Sequence, residues 1–176
     1  MTASPHGGTI RAQMGVIVAA TDGSKSASAA LDAAIELARE GGHRLAVITV
    51  WRALQGDFGL AYPSTALLGD LLEAERNHAE TTLAEALVRA SEAGVDVVTR
   101  LDTGDPAERI CAYARELDAR LVAVGTHGYG SVMSLLVGSV SADVIRRVGR
   151  PVLVVHDGGE VGEAPLSRAA RTPAGR

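Results

Sequence analysis

The chain has 176 residues, 47% hydrophobic and 22% charged, with a net charge of −4, which bounds it to one globular domain with tails. Its acidic balance, with Lys and Arg scattered among acids, gives no footprint for nucleic acid, and no apolar run reaches the ~18 residues of a membrane span. The single cysteine, Cys111, excludes an internal disulfide and a Cys-based zinc site, and only 3% of residues are aromatic, so the core must be Ala, Val, Leu and Ile.

Residues 1–14, MTASPHGGTIRAQM, are polar and expected to be mobile, and they lack the apolar centre of a secretory signal, so the cytoplasm is the expected compartment. GVIVAA (15–20) reads as a strand covered on both faces. After TDGSKS, the spacing of Leu31, Ala34, Ile35 and Ala38 predicts a helix stopped by Gly41. LAVITVW (45–51) is a second buried strand, and 52–69 reads as a loop or irregular cap. A helix from about Asp70 to Ala93 is predicted with Leu72, Ala79, Leu83, Leu87 and Ala90 on its buried face, and VDVVTRL (95–101) as a third strand.

GDPAERI (104–110) carries a helix start: Asp105 as cap, Pro106 at the first helical position and Glu108 three residues after the cap. Ile110, Ala114 and Leu117 give that helix its apolar face, and LVAVG (121–125) is the fourth strand. The last helix runs from about Ser139 to Val148, with Val140, Val144 and Val148 one turn apart; Arg146, Arg147 and Arg150 form a solvated helix end. PVLVV (151–155) is the fifth strand, and 157–176 is expected to be a disordered tail. Five strands alternating with four helices predict an α/β fold: one doubly wound, Rossmann-like parallel sheet over residues 15–156. A 3-2-1-4-5 strand order would bring together the two chemically unusual loops, TDGS after the first strand and the glycine-rich loop after the fourth.

That second loop, GTHGYGSVMSLLVGS (125–139), has no lysine. Gly125 ends a strand, Gly128 permits a turn, and Gly138-Ser139 opens a helix whose first N–H groups converge on one spot beside a hydroxyl. A side chain at Gly138 would fill the space phosphate oxygens need, or block a positive φ. Two readings fit the spacing: phosphate binding, with Asp22 as a metal or ribose contact, or glycines that only make tight turns while Ser139 caps its helix.

TDGS, GDPA at 104–107 and GTHGYGSVMSLLVGSVS followed by RPVLVV resemble the universal stress protein family, over roughly residues 14 to 156. The glycine spacing is that of its ATP-binding branch. The resemblance implies bound ATP with Mg²⁺, the metal at Asp22, and Ala20, Thr21 and Asp22 lining the adenine and ribose region. It implies a backbone contact from Val50 to adenine, and it assigns Gly125, His127 and Gly128 to the first half of the phosphate and ribose loop. Gly138, Ser139, Val140 and Ser141 match the second half. Tyr129 stands where relatives often carry a basic residue, and bulky Trp51 follows Val50. His6, His43, His78 and His156 show no ligand spacing and receive no role. A homodimer through the fifth strand is implied as well.

The function expected is a small ATP-binding regulatory protein of the stress response, a nucleotide-dependent switch that is at most a weak ATPase. The alternative is an ATP-hydrolysing or adenylyl-transferring enzyme on the same fold. A phospho-receiver reading ranks lower, because Asp22 has no adjacent acidic partner.

Overall fold

Runs of branched apolar residues form the inner strands here because both sheet faces are covered, so a central strand must be apolar on both faces. A computed structural model describes residues 15–51, 65–126 and 138–156. The segments expected to be mobile or disordered, 1–14 and 157–176, lie outside the described residues, as do 52–64 and 127–137. The elements are β1 (Val16–Ala20), α1 (Lys25–Gly41), β2 (Arg44–Trp51), α2 (Thr65–Glu92), β3 (Val97–Thr103), α3 (Pro106–Glu116), β4 (Leu121–Gly125), α4 (Ser139–Arg147) and β5 (Val152–Val155).

The five strands pair in parallel in the order β3-β2-β1-β4-β5, the order expected from the two unusual loops. Val18, on the central strand, pairs with Ala46 on one side and Val122 on the other. Alternation then divides the core. Ile17, Ala19, Leu45, Val47 and Ala123 pack with residues of α1 and α2. Val18, Ala46, Ile48, Val122 and Val124 pack with residues of α3 and α4. Ala30, Ala34 and Ala38 of α1 are fully or almost fully buried, so that helix approaches the sheet closely without large side chains.

Helix ends explain the differences from the sequence reading. Helix α1 closes on Gly42, not Gly41: Gly42 has φ +61, and His43 N–H donates to Ala38 O at 2.8 Å. The same closing turn ends α2. Gly94 has φ +74, its N–H donates to Ser91 O at 3.0 Å, and Val95 N–H donates to Ala90 O at 3.0 Å. Val95 is therefore the apolar residue sealing a helix end, and β3 begins two residues later than the apolar run suggests, at Val97.

Helix α2 starts at Thr65, inside the stretch read as irregular. Its buried face is Ala79, Leu83, Ala86 and Ala90, while Leu87 is 41% exposed. Before Ala79 the described residues of the helix are half-buried or exposed, so no single apolar face is enforced there. The α3 start is as read: Asp105 caps, its carboxylate accepting from Glu108 N–H at 2.9 Å, and Pro106 opens the helix.

Candidate functional site

The strand order sets the carboxyl ends of β1 and β4 side by side, at the point where the chain's winding reverses. After Ala20, which ends β1, Thr21 is held from two sides. Its N–H donates to Ile48 O at 3.0 Å, and its carbonyl accepts from the buried Thr49 hydroxyl at 2.9 Å. The turn that follows closes on its own side chains. Thr21 Oγ1 accepts from Gly23 N–H (3.2 Å), Asp22 Oδ1 from Ser24 N–H (3.0 Å), and Ser24 Oγ from Ala27 N–H (3.3 Å). Ser24 is thus the N-cap of α1. Gly23 has φ +81, and a Cβ there would lie 3.1 Å from Thr82 Oγ1, so α2 leans on this turn.

The β4–α4 junction is built differently. Gly125 is buried, and a Cβ on it would lie 2.5 Å from Ala27 N and 2.6 Å from the Ser26 carbonyl carbon. Its missing side chain is what lets the first turn of α1 rest on the end of β4. Its carbonyl accepts from the buried Ser141 hydroxyl of α4 at 2.6 Å, so Gly125 ties the amino ends of both helices to one point. Thr126 N–H donates to Val155 O at 2.9 Å, and Thr126 O accepts from Gly138 N–H at 2.6 Å. Gly138 returns the chain directly to the end of the sheet.

Gly138 is the N-cap of α4, with φ −60 and ψ 160 and no side-chain capping bond. Two sequence readings change here. The backbone at Gly138 is extended, which any residue adopts, so a positive φ is not the reason for glycine. Ser139 is the first helical residue and exposed, so it is not the cap. Gly138 itself offers no side chain to the free N–H groups that open an α-helix.

Val140 is partly buried against the α3–α4 side of the core, as is Val50, which pairs with Asp102 on β3. Trp51 lies on the opposite face, where it lines a shallow cleft of about 430 Å³ with Leu72, Glu73, Arg76, Asn77 and Glu80. The structure thus brings Ala20, Thr21, Asp22, Gly125, Gly138, Ser139 and Ser141 to one end of two neighbouring strands, with Val50 on the next strand over. His127 and Gly128 lie outside the described residues, as does Tyr129.

For a metal, the described residues hold no group of three or more His, Cys, Asp or Glu side chains. Asp22 would be a single protein ligand, an arrangement that suits Mg²⁺ completed by phosphate oxygens and water. Two histidines that spacing leaves without a role lie near these turns. His78 Nε2 lies 3.6 Å from where a Gly23 Cβ would be, and His156 Nδ1 lies 3.1 Å from Thr126 Oγ1. They come from α2 and from beyond β5, and no local motif marks either.

A doubly wound parallel sheet whose last helix opens on a glycine at the switch point defines an α/β domain of the kind that takes ligands beyond the carboxyl ends of its strands. The family model described as "Universal stress protein family" matches residues 14–156, and the chain belongs to that family. Universal stress protein YxiE of Bacillus subtilis strain 168 is 30% identical over 144 residues, covering 80% of this chain and 97% of that protein. A solved universal stress protein in complex with cAMP is 32% identical, with a TM-score of 0.61 and coverage of 81% and 97%. The universal stress protein from Archaeoglobus fulgidus in complex with dAMP is 26% identical, with a TM-score of 0.58 and the same coverage. Among the described residues no helix is long and apolar enough to cross a membrane.

Proposed function

We propose that the protein binds ATP with Mg²⁺ at the carboxyl ends of β1 and β4 and acts in the cytoplasm as a nucleotide-dependent regulatory switch. The observation that carries this reading is the uncapped start of α4, pinned by Gly138 to Thr126 beside the β1 turn. The complexes of two structural relatives with cAMP and dAMP support an adenine nucleotide as the ligand. Ala20, Thr21, Asp22 and Val50 line the adenine and ribose side. The N–H groups of Ser139 and Val140 face the phosphates, and Ser141 holds the helix start in place through Gly125. Hydrolysis is slow or absent. No lysine or arginine occurs from 121 to 145, so the glycine-rich loop and the α4 start supply no arginine-finger side chain for the developing phosphoryl charge, and turnover falls far below the ~10 s⁻¹ typical of enzymes.

A second reading, favoured by the same two relatives, is that the physiological ligand is an adenosine monophosphate, cyclic or linear. Calorimetric titration with Mg-ATP, AMP and cAMP separates them. Mg-ATP binding tightest supports the switch, whereas a monophosphate binding tighter than ATP transfers the site to the second reading. Phosphate release of several per second under saturating Mg-ATP, abolished by Asp22→Asn, would make the protein an ATPase.

The protein is also proposed to be a homodimer joined through β5. The two sheet edges differ. β3 carries Arg100, whose guanidinium makes two bonds of 2.7 Å to Glu116 and lies 4.0 Å over the Tyr113 ring, so charge guards that edge. β5 is Val-Leu-Val-Val, only half-buried. Residues 151 and 155 turn their carbonyls to β4, so Val152 and Val154 turn their backbone groups outward. Val154→Pro deletes one outward N–H and spares the β4 ladder. It should sediment as a monomer where the wild type sediments as a dimer; unchanged sedimentation would place the interface elsewhere.

A further inference from the structure

We propose that the Asp22–Gly23 bond is a site of spontaneous aspartate isomerisation, and that the Thr21 hydroxyl is what restrains it. This goes beyond the nucleotide reading and does not depend on it. The chemistry follows from the dipeptide. The Gly23 nitrogen attacks Cγ of the Asp22 carboxylic acid; an N–Cγ bond forms, the amide proton and the carboxyl hydroxyl leave as water, and a succinimide ring results. Water then opens the ring at the Asp22 main-chain carbonyl, breaking its bond to nitrogen. The chain now runs through Cβ and Cγ, and the carboxylate sits on Cα. One water is lost and one regained, so the product is an isoaspartate of unchanged mass. Glycine permits this because no Cβ crowds the attacking nitrogen.

The turn supplies both the opportunity and the restraint. Gly23 is exposed and Asp22 half-buried, so the water that opens the ring has access. Against this, both reacting groups are held in other bonds. Gly23 N–H donates to Thr21 Oγ1 at 3.2 Å, and Asp22 Oδ1 accepts from Ser24 N–H at 3.0 Å, which draws the carboxylate past Gly23. For attack, the nitrogen must turn from Thr21 toward Cγ. Thr21 does not follow it, because its own frame is fixed. It is buried, its N–H donates to Ile48 O at 3.0 Å, and its carbonyl accepts from the Thr49 hydroxyl at 2.9 Å. Escape from this restraint has a lasting result: one extra methylene enters the main chain between β1 and α1, and position 22 loses its side-chain carboxylate.

The test incubates wild type, Thr21→Val and Thr21→Ser warm at mildly acidic pH, each folded and in urea. Isoaspartate at position 22 is counted by peptide mapping and mass spectrometry, with heavy-oxygen water marking each ring opening. In urea all three are expected to isomerise at one rate, and folded wild type far more slowly. Folded Thr21→Val, which keeps the shape and lacks the acceptor, should isomerise roughly fivefold faster than folded wild type. Thr21→Ser keeps the acceptor and should track wild type. No isoaspartate in urea would overturn the site, and equal rates for folded and unfolded wild type would overturn the restraint, whether or not a variant folds. Folded Thr21→Val matching folded wild type would remove the role of Thr21. Thr21→Ser as fast as Thr21→Val would overturn it too, since loosened packing and not the lost hydroxyl would then be the cause.

Discussion

Two helices begin at the switch point of this sheet, and they begin in opposite ways. The α1 start is capped by its own sequence: Thr21, Asp22 and Ser24 each place a side-chain oxygen on a nearby N–H. The α4 start has glycine at its cap and no side-chain bond. In one domain, the same kind of junction serves once with a capping side chain and once with a glycine that can supply none. The contrast teaches that glycine and serine in such a loop do not announce a ligand by themselves. What distinguishes the two is whether the local side chains have already taken the donors.

The largest effect is expected at the residue both helices share. Gly125→Ala would place a Cβ against the backbone of Ser26 and Ala27 at 2.5–2.6 Å, and backbone cannot swing aside. Urea unfolding should show a loss of roughly 3 kcal/mol. An unchanged midpoint would mean that α1 does not rest on β4 as described.

Next comes Gly138→Asp, for which stability and binding should move in opposite directions. The extended backbone at φ −60 accepts aspartate, whose carboxylate caps α4 and adds a few tenths of a kcal/mol or more. The same carboxylate occupies the donors and repels phosphate, so the melting shift caused by Mg-ATP should disappear. A variant that retains the full shift would show that the donors at α4 are not the ones used.

The smallest effect belongs to the closed junction. Ser24→Ala removes the bond to Ala27 N–H and should cost about 1 kcal/mol of stability. Its Mg-ATP affinity should stay within about twofold of wild type, because the cap it removes faces the helix and not the ligand.

Much of this was legible from the chain alone, for reasons that can be named. The strand order was the one that would bring the two unusual loops together, and the α3 start was marked by three residues, Asp105, Pro106 and Glu108, whose chemistry is local. Failures arose where a residue's role depends on a distant neighbour. Val95 resembles a strand residue until the helix end it seals is seen. Leu87 fits the helical period yet faces away from the sheet. The need for glycine at 125 also has a distant cause, because the space a Cβ would take is filled by α1, some hundred residues earlier in the chain. His156 meets Thr126, which follows β4, and no local motif links the two.

The central claim, that the α4 start is reserved for a nucleotide's phosphates while the α1 start is not, is tested most directly by one calorimetric series. Mg-ATP is titrated into wild type, Ser24→Ala and Gly138→Val, the last adding bulk at the cap without charge. Losing two or three charge-assisted bonds at ~1.5–3 kcal/mol each predicts that Gly138→Val binds well over tenfold more weakly, with Ser24→Ala matching wild type. Equal affinity of wild type and Gly138→Val, or no binding heat in any of the three, would contradict it.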